Sequence, residues 1–122
     1  MTQRQNISSG VEFESTVGYS RAVRIGPVIA VAGTTGAGHG IADQARDALR
    51  RIEIALRAAG AELTDVVRTR IFVTDIAQWR EVGAVHAEVF GDIRPVTTMV
   101  EVQALISAEL LVEIEADAYL KD

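Results

Sequence analysis

The stretch from Gly33 to Gly60 constrains the fold more than any other. Gly33-Thr34-Thr35-Gly36-Ala37-Gly38-His39-Gly40 is too rich in glycine for a regular element, and a helical period begins directly after it. Ala45, Ala48, Leu49, Ile52, Ala55, Leu56 and Ala59 fall on a single stripe, the pattern of a helix that buries one face. The opposite face carries Asp47 with Arg51 and Glu53 with Arg57, each acid four residues ahead of its base. Gly60 supplies the stop. Such a helix must lay its stripe on another element. Val28 to Ala32, a continuous apolar run just before the loop, reads as the buried strand that receives it.

The remaining elements follow from alternation and punctuation. Tyr19 to Ile25 alternates and then turns at Gly26-Pro27, so it forms a hairpin with Val28 to Ala32. Val66 to Val73 alternates too, placing Val67, Thr69, Ile71 and Val73 on one face. Thr74 and Asp75 can cap a second helix from Ile76 to Phe90, ended by Gly91. Pro95 opens a strand reaching Val102, and Leu110 to Tyr119 forms the last. Residues 1–16 are expected to be loosely ordered in part, with a short edge strand near Val11 to Phe13. The order ββ-α-β-α-ββ predicts one α+β domain over residues 1–122, a single sheet covered on one face by two helices.

The two faces of the sheet differ. Val112, Ile114, Ala116 and Ala118 are expected to meet the helices, leaving Glu113, Glu115, Asp117 and Tyr119 on the open side. The same rule turns Val96, Thr98, Val100 and Val102 toward the helices and leaves Thr97, Met99 and Glu101 outside. An open face of this kind is either hydrated or shared with other subunits, and charge alternation by itself favours water.

Composition narrows the function classes. A net charge of −5 argues against nucleic acid and anionic membranes, which are held by lysine and arginine. There is no cysteine, so thiolate chemistry is excluded. No apolar run reaches membrane-spanning length and residues 1–10 show no leader pattern, so a cytoplasmic protein is expected. His39 and His86 stand far apart without metal-ligand spacing, so no metal is expected. The glycine-rich loop lacks the Lys-Ser/Thr of a phosphate loop and reads as a flexible connector. No seryl elbow occurs. Glu113, Glu115 and Asp117 lie about 7 Å apart along one strand face. If buried they raise one another's pKa, and one could act as a general base for water.

Several segments together resemble the reactive-intermediate deaminase family, also called YjgF or L-PSP. They are Tyr19-Ser20-Arg21-Ala22-Val23, Val31-Ala32-Gly33, Ala58-Ala59-Gly60, Leu63-Thr64-Asp65-Val66-Val67, Phe72-Val73-Thr74-Asp75, Pro95 to Val102 and Leu111 to Ala116. The resemblance spans Tyr19 to Tyr119. It implies a chorismate-mutase-like fold assembled as a homotrimer, with the open sheet faces inward and ligand clefts between subunits. It also implies hydrolysis of small imines and enamines without metal or organic cofactor. Carried over position by position, Glu113 matches the acid that orients the hydrolytic water, and Tyr19 the tyrosine that closes the cleft. Ala32 and Gly33 match its lining, and Met99 a position whose backbone approaches the ligand. Thr97 stands where the family has the arginine that grips a substrate carboxylate. Arg94 and Arg21 are nearby cations, neither an obvious substitute by strand geometry, and Arg94 more simply holds the turn before Pro95. The expected activity is therefore a hydrolase for a small metabolite other than a simple 2-imino acid. A non-catalytic ligand-binding trimer is the alternative, and an endoribonuclease the weaker one.

Overall fold

The computed structural model describes residues 3–121. Six strands form one mixed sheet: β1 (Arg4–Ile7), β2 (Ala22–Ile25), β3 (Val28–Thr34), β4 (Val66–Val73), β5 (Val96–Glu101) and β6 (Val112–Tyr119). Their spatial order is β1-β2-β3-β6-β4-β5; β4 and β5 run parallel and every other pair is antiparallel. Three helices accompany them: α1 (Glu12–Val17), α2 (Ile41–Ala58) and α3 (Trp79–Phe90). The α2 stripe lands where its spacing requires. Ala45, Ala48, Leu49, Ile52, Ala55 and Leu56 are all buried, and Ile52 and Leu56 join Ile29, Ile71, Ile114 and Phe90 in the fully buried centre. The expected pairs form on its outer face, Arg51 with Asp47 at 3.0 Å and Arg57 with Glu53 at 2.9 Å. At its end Gly60 adopts φ 88°, open to glycine at little cost, and Arg24 Nη1 donates to Ala59 O at 2.7 Å.

Four sequence expectations are corrected. The edge strand is Arg4–Ile7, not residues 11–13, and Val11 instead precedes a short helix. The polar run Arg4-Gln5-Asn6-Ile7 lacks an apolar pattern because it pairs on one side only, with β2. In β4 the register shifts between Val66 and Arg68, so Val66 is buried and Val67 is half exposed; the bulge moves Val67 off the core face. Residues 76–78 form a 3₁₀ turn, capped where Asp75 Oδ1 accepts from Ala77 N, and α3 begins only at Trp79.

The fourth correction reverses β5. Its parallel register sets Thr97 beside Thr69 and Met99 beside Ile71, and those β4 residues are buried under the helices. Thr97 and Met99 therefore share the helix side, while exposed Val96 and Val100 lie on the open face. β6 behaves as expected: Val112, Ile114, Ala116 and Ala118 are buried, and the acids alternate outward. On the open face Arg70 Nη1 bridges Glu115 and Asp117, each at 3.2 Å.

Thr97 has defined partners on the helix side. Thr69, fully buried, places its hydroxyl 2.8 Å from that of Thr97 and 2.9 Å from His86 Nε2. His86 stacks on Phe90 at 4.8 Å, and its burial holds the imidazole pKa below the usual value. Replacing Thr69 by Val takes from the His86 ring nitrogen its close partner and leaves only the Thr97 hydroxyl at 3.5 Å, while Thr97 keeps Pro95 O at 3.2 Å. It is expected to cost about 1–2 kcal/mol in urea unfolding, with the loss shrinking when His86→Phe is combined with it.

Candidate active site

The site begins at an irregularity in β3. Val31 pairs with Ala116 and Thr34 with Ile114, so β3 spends one more residue than β6 over this interval. A bulge of this kind re-aims the chain. Here it brings Ala32 and Gly33 against Glu113, and a Cβ at Gly33 would run into the Glu113 carboxylate. A larger residue there would displace the Glu113 carboxylate from its present position.

Around this point lies a cavity of about 1000 Å³ lined by Tyr19, Arg21, Ala32, Gly33, Thr34 and Glu113. Its outer walls are apolar side chains of α1 (Phe13, Val17), of α2 (Ile54, Ala58) and of the segment before β6 (Ile106, Leu110). A smaller hollow of about 650 Å³ adjoins it on the open face and shares Tyr19 and Ala32, with Glu115 and Asp117 on its wall.

Glu113 is half-buried, and the loss of water around its carboxylate raises its pKa above the ordinary carboxylate value. Arg21 opposes that rise and Glu115 adds to it. Arg21 is tightly held: its Nη1 donates to Gly33 O and to Thr34 Oγ1, both at 2.9 Å, and its guanidinium lies 5.6 Å from the centre of the Tyr19 ring. Tyr19 in turn is fixed by its backbone N–H, which donates to Glu14 O at 2.9 Å. Glu14 is itself buried and accepts from the backbone N–H and hydroxyl of Ser9, which lowers its pKa and ties down the segment before α1.

Of the residues singled out from the sequence, Glu113, Tyr19, Ala32 and Gly33 meet in this one cavity. Thr97, Met99 and Arg94 do not line it. Thr97 and Met99 sit on β5, two strands from β6, and Met99 packs against the core. Arg94 is a turn residue with φ 54°, its Nε donating to Gly91 O at 3.1 Å. Arg21, which the sequence marked only as a nearby cation, lines this cavity. The signal was its two-residue spacing from Tyr19, but its partners Gly33 and Thr34 lie twelve and thirteen positions away. Among the described residues no group of three or more His, Asp or Glu is placed to hold a metal ion, and no helix is long and apolar enough to cross a membrane.

A single mixed sheet with its helices on one face and a carboxylate cavity at a bulged strand defines a small α+β protein of one architecture. The family model described as Endoribonuclease L-PSP matches residues 9–120. A RutC family protein of Pyrococcus horikoshii is 36% identical over 109 residues, covering 83% of this chain and 86% of that protein. Human 2-iminobutanoate/2-iminopropanoate deaminase is 31% identical over 108 residues, covering 82% and 78%. Among solved structures, a Mycobacterium tuberculosis member of the YjgF family superposes with a TM-score of 0.96 at 74% identity, covering 97% of this chain and all of that one. The chain belongs to the Rid/YjgF/L-PSP family.

Proposed function

We propose that the protein is a hydrolase for small imine- or enamine-type metabolites, with Glu113 positioning and deprotonating the attacking water. The observation that carries this reading is the raised pKa of Glu113 in a cavity shared with Tyr19, Arg21 and Gly33. A base poised toward neutrality takes a proton from water more effectively than an ordinary carboxylate. Water adds to the carbon of the C=N bond and gives one proton to Glu113, which passes it to the nitrogen to leave a carbinolamine. Glu113 then takes the hydroxyl proton of that adduct and delivers it to the amine nitrogen as the C–N bond breaks, so a carbonyl compound and ammonia leave and the carboxylate is regenerated. The identity to a mammalian 2-iminobutanoate/2-iminopropanoate deaminase supports this chemistry.

In the assembly we infer, three chains pack through their open sheet faces, and Thr97, exposed on the edge strand β5, reaches the Glu113 cavity of the next subunit past that edge. The exposed apolar residues Ile25, Val28, Val96, Val100 and Tyr119 on that face support burial there. Thr97 in the arginine position favours a second reading, a trimer that binds a small ligand without turnover. Ammonia release from freshly generated 2-iminopropanoate, comparing the native protein with Thr97→Arg, separates the two. Release well above the buffer rate by the native protein supports the hydrolase. Activity in Thr97→Arg alone means a competent cleft built for another ligand, and inactivity of both in a confirmed trimer leaves the binding reading.

A further inference from the structure

We propose that Arg21 is the anion anchor of the Glu113 cavity, and that the ligand it takes is a small carboxylate carrying an apolar side chain. The proposal rests on the reading of that cavity as the active site. A guanidinium has five N–H donors in a fixed fork. Arg21 Nη1 donates to both Gly33 O and Thr34 Oγ1, and Nη2 makes one long contact of 3.4 Å to the Tyr19 hydroxyl. The Nε–H has no partner among the described residues, and Nη2 has only that long contact. Nε–H with the adjacent Nη2–H is the edge that pairs with a carboxylate through two parallel hydrogen bonds.

This edge is not sealed in the interior. No buried side-chain nitrogen or oxygen lacks a partner among the described residues, so Nε, which has none, is not fully buried. Nor is the charge neutralised by an ion pair, because no carboxylate among the described residues lies within 4.0 Å of the Arg21 nitrogens. The neighbouring acid Glu14 is engaged by Ser9, and Glu113 feels Arg21 without touching it. The other arginines lining the cavity are committed elsewhere: Arg50 and Arg51 both pair with Asp47, at 2.8 and 3.0 Å. Arg21 is thus a cation held rigid by three neutral groups, with its carboxylate-matching edge left over beside a titratable acid.

The rest of the cavity defines the remainder of the ligand. Phe13, Val17, Ile54 and Ile106 are exposed apolar side chains on its walls, continuous with the Arg21 edge. A ligand whose carboxylate sits on Arg21 can lay a short hydrocarbon chain along them and gain from removing both surfaces from water. The charge that Thr97 does not supply is supplied by Arg21.

The test is binding of a stable acid, 4-methyl-2-oxopentanoate, and of its primary amide, measured by calorimetry on the native protein, Arg21→Met and Arg21→Lys. The native protein is expected to prefer the acid by at least tenfold. Arg21→Met should lose roughly tenfold to a hundredfold in acid affinity while its amide affinity holds, and Arg21→Lys should keep part of the preference. Equal acid binding by Arg21→Met, or no preference for acid over amide in the native protein, overturns the proposal. Should Arg21→Met fail to fold, the native protein still decides. Its acid affinity must fall with added salt while its amide affinity stays constant, and parallel behaviour of the two ligands overturns the assignment. Acid preference without ammonia release sinks the hydrolase reading alone; ammonia release without acid preference sinks the anchor alone.

Discussion

Glu113→Gln is expected to reduce imine hydrolysis by about two to four orders of magnitude, read as ammonia release at saturating substrate. The amide keeps the shape of the side chain and its approach to Gly33, so the loss reports the proton acceptor. The pH dependence carries a second signature. Activity requires the carboxylate form, so the native rate should rise with pH through a value above the ordinary carboxylate pKa, because burial has raised it. The stability of the protein should move the opposite way. In acid the carboxyl is protonated in both folded and unfolded chains. As pH rises the unfolded chain loses its proton first, so the stabilisation present at low pH is lost as pH passes through the raised folded-state value. Glu113→Gln removes that penalty and is expected to melt at or above the native temperature at neutral pH while being nearly inactive. A variant that loses activity together with melting temperature would assign Glu113 a structural role instead.

Gly36→Ala is expected to destabilise the fold by about 3 kcal/mol in urea unfolding. An added Cβ would collide with Gln44 O and lie 2.6 Å from Ala48 N, both in the backbone of α2, where no rotamer change can relieve the overlap. The damage should not stop at the loop. Gln44, itself buried, donates through Nε2 to Gly38 O at 3.1 Å and Glu109 O at 3.0 Å, and its Oε1 accepts from Leu111 N at 2.8 Å. One side chain therefore ties the glycine loop, the start of α2 and the entry to β6, two residues before Glu113. Displacing α2 should lower activity through that tie. Gly40→Ala is the control: its Cβ meets nothing within 4 Å, and it should unfold within about 0.5 kcal/mol of the native protein.

Much of the architecture was legible because its signals are local. The α2 stripe, the alternation of β6 and the stops at Gly60 and Gly91 each depend on residues a few positions apart, and all lie where the sequence put them. The glycine-rich loop read as a slack connector, yet Asp47 Oδ2 accepts from Ala37 N at 2.8 Å and Gly36 is packed against α2. Composition shows glycine's freedom and not the contact that demands it. The face of β5 was misread for a nonlocal reason. Val96 and Val100 are the more apolar set, but parallel register with β4 sets Thr97 beside Thr69, and a hydroxyl cluster with His86 satisfies that side. Arg21 was legible as a charge near Tyr19, but its fork is positioned by a bulge that only pairing between β3 and β6 creates. Glu113 was reached through family resemblance, and its raised pKa follows from burial that alternation alone would have assigned to water.

The strand order also dictates when the protein can become itself. β6 comes last of the six along the chain, yet it lies between β3 and β4 and joins the β1-β2-β3 meander to the parallel β4-β5 unit. During synthesis these two sub-assemblies exist with unpaired edges and no shared sheet until residues 112–119 have emerged. Such edges invite pairing with other chains. The strand that closes this gap also bears Glu113 and seals Ile114 under α2, so the cavity carboxylate arrives in the same event that completes the core. No partly made chain can hold the Glu113 carboxylate in its cavity, and a chain clipped before β6 would lose the cohesion of the sheet and the cavity wall at a single stroke.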